Sequence, residues 1–304
     1  MRRHPRAGRG FTIVEIITSL TIIAIIGLAM TKLILGQTRS FQYDNGARRA
    51  RAAARGAMNI LITDLRMTQD QGGVTAVDGT NNRKVTVRVP TVFGFVCAVS
   101  GSGLVVALVP TDSFQLASSK YGGYAIRDST LGTYTYVTAG ASDSMRTSGA
   151  GSCHGGGTNI FADTVTVSGR LGGVYLLTPS PPALTAAVGL PVFVWQSVSY
   201  EFKTSAIYPG RYGLYRTVSG RSGADTTSDE LIAPFKSTAR FSYYTQGPYG
   251  NRDSVTTTAP GTLNNIRGFQ IFLPAESSDT MPTRNTPQSA ITTTAVFFKN
   301  TRVP

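Results

Sequence analysis

The sequence predicts an α+β protein in which one long N-terminal helix, a membrane half plus an amphipathic half, packs on an antiparallel β-rich globular head. Three observations carry that expectation. A mostly apolar run of about 25 residues, 11–35, follows a short basic stretch. Beyond it, apolar residues recur at steps of three and four as far as Leu65, with no Gly-Pro punctuation. After Gly72-Gly73 that period gives way to short alternating segments separated by Gly, Pro and Ser. With 33 Gly, 15 Pro and only 15% charged residues among 304, the composition suits strands and turns and does not resemble a disordered chain.

Residues 1–10 contain Arg2, Arg3, Arg6 and Arg9 and no acid. Residues 11–35 read FTIVEIITSLTIIAIIGLAMTKLIL, uncharged from Ile16 to Thr31. As a helix this run is about 37 Å long, enough to cross a bilayer. Positive charge ahead of the span predicts a cytoplasmic N-terminus and an extracytoplasmic remainder.

Residues 36–71 extend the helix. Ala47, Ala50, Ala54, Ala57, Leu61 and Leu65 form one apolar stripe, with Arg48, Arg49, Arg51, Arg55 and Arg66 mostly off it. A helix from Phe11 to near Gln71 is expected, stopped by Gly72-Gly73 and weakest at Gly36 and Gly46. The Arg cluster at 48–55 reads either as a contact for lipid headgroups or acidic neighbours, or as a solvated face.

Residues 74–304 form the head. Strands are expected at Lys84–Val89, Leu104–Val109, Tyr134–Thr138, Thr164–Val167 and Val174–Leu177, with a Gly/Ser-rich loop over 142–159. Pro191–Lys203 is the strongest strand. It pairs as a hairpin with Arg211–Val218 across Tyr208-Pro209-Gly210. Ser237–Thr245, Ile266–Leu273 and Thr292–Lys299 complete the set, and a boundary inside the head is expected near Pro179–Pro182.

Two cysteines, Cys97 and Cys153, lie beyond the apolar segment. Outside the cytoplasm they are candidates for one disulfide, closing a loop of about 56 residues and contributing ~4 kcal/mol in the loop-entropy picture. A buried free thiol within the apolar run 92–99 is the other reading of Cys97.

Enzymatic chemistry finds no constellation. His4 and His154 are the two histidines, no metal-ligand spacing occurs, and neither a phosphate-binding Gly loop nor a nucleophile elbow is present. No enzyme activity, metal or other cofactor is expected. Asp225, Asp229 and Glu230 sit in a Thr/Ser-rich stretch that reads as a solvated turn or as oxygen ligands for calcium. Tyr208, Tyr212, Tyr215, Tyr243, Tyr244 and Tyr249 read as strand packing or as an aromatic surface for stacking or adhesion.

Glu15 decides between readings of the N-terminus. A carboxylate inside a bilayer costs roughly 2.5–3.5 kcal/mol on insertion scales. A conventional signal cleaved near Ala29, or a plain signal anchor, leaves that cost unexplained. The segment Arg9-Gly10-Phe11-Thr12-Ile13-Val14-Glu15 resembles the type IV prepilin motif, in which a basic leader ends in Gly and Glu is the fifth mature residue. The resemblance implies that a prepilin peptidase cuts after Gly10 and methylates the new N-terminus at Phe11. It also implies that Glu15 pairs with an α-amino group, its own or a neighbour's, during assembly. Losing four arginines from a chain of net charge +13 leaves +9.

Looser features extend the resemblance to the larger, PilW-like minor pilins and to the J-type minor pseudopilin of type II secretion. These are Asp64-Leu65-Arg66, Ser199-Tyr200-Glu201-Phe202, Gly213-Leu214-Tyr215-Arg216, Phe241-Ser242-Tyr243-Tyr244 and the closing Val296-Phe297-Phe298-Lys299-Asn300. Lys32 stands where many major pilins have a helix-kinking proline, and Lys299 where Arg is commoner. The implied protein is a structural subunit that primes or caps a pilus-like filament. A secretion pseudopilin, or a tip subunit that binds DNA or surfaces, is the alternative. Its implied partners are other pilins or pseudopilins, the prepilin peptidase, the inner-membrane assembly platform and membrane lipid, with DNA a further candidate. Its implied location is the inner membrane, single-pass, and then the pilus or pseudopilus.

Overall fold

A computed structural model describes residues 12–100, 103–108, 111–112, 115, 120–128, 133–140, 145–146, 154–155, 158–159, 166–167, 170–171, 173–178, 188–221, 226–246, 253–280 and 286–298. The chain is α+β: one long helix lies on an antiparallel β-rich head. The helix, α1, runs Ile13–Met67 without a break at Gly36 or Gly46. Residues 12–45 are all exposed, and the helix meets the head only from Gly46 onward. Ala50, Ala54, Ala57, Leu61 and Leu65 are fully buried, while Ala47 is half-buried at the edge of the same stripe.

Small residues on that stripe let the helix approach the sheet closely. A Cβ on Gly56 would sit 2.8 Å from Ile232 Cδ1, and one on Gly46 3.1 Å from the Gln288 side chain. α1 stops at Met67, several residues ahead of the glycine pair. Thr68 is an extended C-cap, and Thr68 and Gln69 are both buried beneath the head. Gly72 and Gly73 serve the turn that follows. Gly72 takes φ +111°, and a Cβ on Gly73 would collide with the Gln69 carbonyl at 2.1 Å.

The strands in chain order are β1 (Val74–Val77), β2 (Lys84–Ser100), β3 (Gly103–Leu108), β4 (Gly123–Arg127), β5 (Tyr134–Thr138) and β6 (Met145–Arg146). Four two-residue strands follow: β7 (His154–Gly155), β8 (Thr158–Asn159), β9 (Thr166–Val167) and β10 (Arg170–Leu171). The remainder are β11 (Gly173–Leu177), β12 (Pro191–Thr204), β13 (Tyr212–Ser219), β14 (Thr227–Phe235), β15 (Arg240–Gln246), β16 (Asp253–Thr256), β17 (Ile266–Thr280) and β18 (Pro287–Phe297). Fourteen of these join one sheet in the order β16-β15-β17-β14-β13-β12-β2-β3-β11-β6, with β1 on β2, β18 on β17, β4 on β12 and β5 on β4. The expected β12–β13 hairpin forms, with Ser199 opposite Thr217 and Tyr200 opposite Arg216. Every pairing is antiparallel, so short connections suffice.

Two strands are long enough to serve two cores. Val85, Val87 and Val89 of β2, with Val198, Tyr200 and Phe202 of β12, pack against the helix stripe and against Phe235, Phe241, Phe269 and Ile271. Val92 and Val96 of β2, with Val192 and Val194 of β12, pack into a second core around Leu104, Val106, Tyr124 and Leu177. The change-over falls where the register slips by one residue, between Val194 opposite Val92 and Trp195 opposite Pro90. A bulge with a proline kinks and twists a strand, which turns its side chains toward a new layer. The Pro179–Pro182 stretch lies outside the described residues.

Arg88 stands at this junction. Its guanidinium lies 4.6 Å from the Tyr136 ring and 4.8 Å from the Trp195 ring, and it donates to the Gly72 carbonyl at 2.6 Å. Burial lowers its pKa, opposed by the neighbouring Tyr136. The aromatic faces offset part of the cost of holding a cation there.

Candidate assembly surface

The exposed half of α1 is the most apolar part of the molecule. Its most apolar 18-residue window has mean hydropathy 2.4 and is wholly unburied, so the helix is long and apolar enough to cross a membrane. Ile13, Leu20, Ile23, Ile25, Leu28 and Leu33 are each exposed, which no water-facing helix tolerates over such a length. A surface of this kind is suited to the hydrocarbon of a bilayer.

Glu15 opens this helix. Thr12 is the N-cap: its side chain accepts from the Glu15 N–H at 3.3 Å, and the Glu15 carboxylate accepts from the Thr12 N–H at 3.3 Å. This reciprocal capping box satisfies two donors that a helix start leaves open, and the carboxylate lies at the positive end of the helix dipole. Thr12 meets part of the cost of placing this acid in an apolar segment, and the carboxylate stays on the surface. Gly10 and Phe11 lie outside the described residues.

The C-terminal half of α1 is tied to the head by a part-buried polar cluster. Asp64, on the turn before the end of α1, accepts through Oδ2 from the Tyr200 hydroxyl at 2.6 Å and from Arg216 Nε at 3.1 Å and Nη2 at 2.9 Å. Arg216 Nε also donates to the Tyr200 oxygen at 3.1 Å. Tyr200 and Arg216 face the helix together because they are directly cross-strand partners on β12 and β13. Burial, reinforced by Asp64, pushes the Tyr200 hydroxyl far above its ordinary pKa. Burial works against the Arg216 charge, but the Asp64 carboxylate holds the guanidinium pKa above its usual value. The cluster ties the end of α1 to the β12–β13 hairpin of the head.

Glu230 holds the hairpin tip. Its carboxylate accepts from the Ser205 hydroxyl, from the Ala206 N–H at 2.8 Å and from the Tyr215 hydroxyl at 2.8 Å. A Cβ on Gly213 would lie 2.4 Å from Glu230 Oε1, so only glycine leaves room for this carboxylate. Desolvation opposes its charge, but the hydrogen bonds from Ser205, Tyr215 and Ala206 prevail and lower its pKa. Glu230 is thus committed to three protein donors. Asp225, Cys153 and the side chain of His154 lie outside the described residues. Among the described residues no group of three His, Cys, Asp or Glu is placed to hold a metal ion. Cys97 is buried in β2 and is not a free thiol.

Four of the tyrosines singled out above make contacts within the head. Tyr243 is buried, Tyr244 stacks on Phe297 at 4.7 Å, Tyr212 lies under the Arg83 guanidinium and Tyr215 under the Lys203 ammonium. Tyr249 lies outside the described residues.

Where α1 first touches the head, a polar cavity of about 290 Å³ opens between Gln42, Asn45 and Arg49 on the helix and Ser277, Asp279 and Gln288 on the sheet. An ion pair between Arg49 and Asp279 borders it, with both side chains largely exposed. Such a pair contributes little to stability. Asp64, Tyr200 and Arg216 belong to segments that stand out in the sequence. Arg49–Asp279 and the Arg88 sandwich do not, because their partners lie far away along the chain. Comparison with protein-family models, curated proteins and solved structures finds no match to this chain.

Proposed function

We propose that this chain is a minor pilin- or pseudopilin-type subunit, anchored by α1 in the inner membrane with its head outside, and drawn from there into a filament that it primes or caps. The observation that carries the reading is Glu15. It sits within the first turn of a helix whose next 30 residues are bare and which then binds a large head. A carboxylate at that position is costly in lipid, the capping box meets only part of that cost, and a cationic partner would meet the rest. The α-amino group released by cleavage after Gly10 is such a partner, supplied by this chain or by a neighbouring subunit whose helix packs alongside. Anchoring, processing and assembly would then use one segment, while the Asp64 cluster transmits its orientation to the head.

The reading needs no catalytic group in this protein. Cleavage and methylation belong to the prepilin peptidase, and extraction from the membrane to an assembly platform. The pilus and secretion versions share this chemistry and differ in the partners at the filament tip. Capture of DNA or of a surface by the basic head would be an added property of that tip.

The test is the mass and N-terminal sequence of the protein extracted from membranes of cells that contain a prepilin peptidase. The expected chain begins at methylated Phe11. A chain that begins at Met1, or near Met30, sinks the proposal.

A further inference from the structure

Among the described residues β18 is a sheet edge of unusual character. It pairs with β17 along its length, from Pro287 opposite Thr280 to Phe297 opposite Gly268, and carries no strand on its other side among the described residues. Exposed edges are normally blunted by charges, by proline within the strand or by shortness. β18 has eleven residues, PQSAITTTAVF, with no charge and with proline only at its first position. The outermost strands at the two ends of the main sheet, β16 and β6, have four and two residues. Ile291 and Phe297, on the outward face of β18, are 66% and 45% exposed.

A groove of about 400 Å³ runs between this edge and α1, with Ala47, Arg51 and Arg55 on the helix side and residues 288–292 on the other. Arg51 and Arg55 are exposed and form no ion pair among the described residues. They stand one turn apart, about 6 Å along the helix. Side chains on the same face of a strand repeat every 6.6–6.8 Å, roughly the same interval.

We propose that this groove receives an extended acidic peptide segment of a partner protein, which adds to the sheet as a strand on β18 and sets two carboxylates, two residues apart, against Arg51 and Arg55. The outer backbone of β18 from Ser289 onward, which pairs with no strand among the described residues, supplies affinity, and the two guanidinium groups supply selectivity. Two other occupants fit less well. A second copy paired edge to edge would bring like charges together, in a chain of net charge +13. Lipid headgroups are too distant: Arg51 and Arg55 lie about 24 and 30 Å up the helix from Leu35, against a screening length of about 8 Å. The inference stands on this surface alone and holds whether or not the chain is a filament subunit.

The test uses the full chain in detergent micelles and a fluorescent peptide of alternating Thr and Val with two Glu residues two apart, read by anisotropy. The peptide is expected to bind. The Arg51→Glu, Arg55→Glu double variant should weaken it about tenfold or more, and a peptide with Lys in place of Glu should recover binding to that variant. Both residues are exposed, so the variant keeps its fold, which circular dichroism checks. N-methylation of alternate peptide amides, which removes the donors a strand needs, should abolish binding. The proposal is overturned if the acidic peptide does not bind, if N-methylation makes no difference, or if the double variant binds equally well. Light scattering that shows a dimer released by the double variant would assign the groove to a second copy instead. Loss of peptide binding in anionic but not zwitterionic nanodiscs would assign it to lipid. Either result overturns the proposal.

Discussion

Replacing Asp64 with alanine should loosen the joint between helix and head, because it removes the acceptor that the cluster shares. Asp64 Oδ2 is the common acceptor for Tyr200 and for two nitrogens of Arg216. Its removal leaves a hydroxyl on a fully buried Tyr200 and a guanidinium of which 29% is exposed, with the Asp64 side chain itself 14% exposed. Breaking a fully buried ion pair costs about 3–5 kcal/mol, and each hydrogen bond to a charged group about 1.5–3 kcal/mol. Arg216 retains access to water and recovers part of that loss, so about 2–3 kcal/mol is expected. At about 2–4 °C per kcal/mol for a domain of this size, the melting temperature should fall by about 5–10 °C. The assay is thermal unfolding of the full chain in micelles, followed by far-ultraviolet circular dichroism. Arg216→Ala should cost a similar amount, and the double variant should cost less than the two single losses together, because the same contact is removed twice. Tyr200→Phe, which removes only the hydroxyl, should cost about 1 kcal/mol. An Asp64→Ala protein within about 0.5 kcal/mol of the parent, a difference typical of ordinary surface substitutions, would refute the claim that this cluster fixes the head on the helix.

Three further outcomes follow from the geometry. Leu61→Ala, in the fully buried helix stripe, should cost about 3 kcal/mol in chemical denaturation, since both the transfer term and a residual cavity count against it. Glu230 has a folded pKa below its ordinary value, so its stabilisation is present above about pH 4.3 and is lost as pH falls through the lower folded value. Glu230→Gln should therefore flatten the acid limb of the stability–pH curve, and an unchanged limb would contradict the assignment. Burial pushes the Tyr243 hydroxyl up to about 12, so stability should decline as pH rises from about 10 toward 12, and Tyr243→Phe should make that decline shallower by about one proton.

The helix was legible in the sequence because its signals are local. Apolar length, the step of three and four from Ala50 to Leu65, and the absence of proline all act within one turn of their neighbours. Its end was less legible: Gly72-Gly73 looks like a stop, but burial of Thr68 and Gln69 under the head ends the helix at Met67. Among strands, β12 and β13 are plain from alternation and from the Tyr-Pro-Gly turn between them. β14 is not, because TSDELIAPF has two polar and two acidic residues and a proline, and gains its place only by pairing with β13 and β17. β17 likewise runs on through Glu276 and Asp279 to Thr280, held by β18 on its flank. Strand propensity depends on neighbours, so such segments read as loops until the sheet exists around them.

The candidate site divides the same way. Glu15, the basic leader and the uncharged span are a linear signal, and the sequence alone determined that an acid opens an apolar helix able to cross a membrane. It also singled out the segments that hold Asp64, Tyr200 and Arg216. Tertiary structure alone decided that these three meet on one oxygen atom, that Glu230 is occupied by the hairpin tip, and that Arg51 and Arg55 line a groove beside the uncharged strand β18. The reason is distance along the chain. Asp64 and Arg216 are 152 residues apart, and Arg49 and Asp279 are 230 apart. No periodicity or spacing reports on contacts closed only when fourteen strands have taken their order and register.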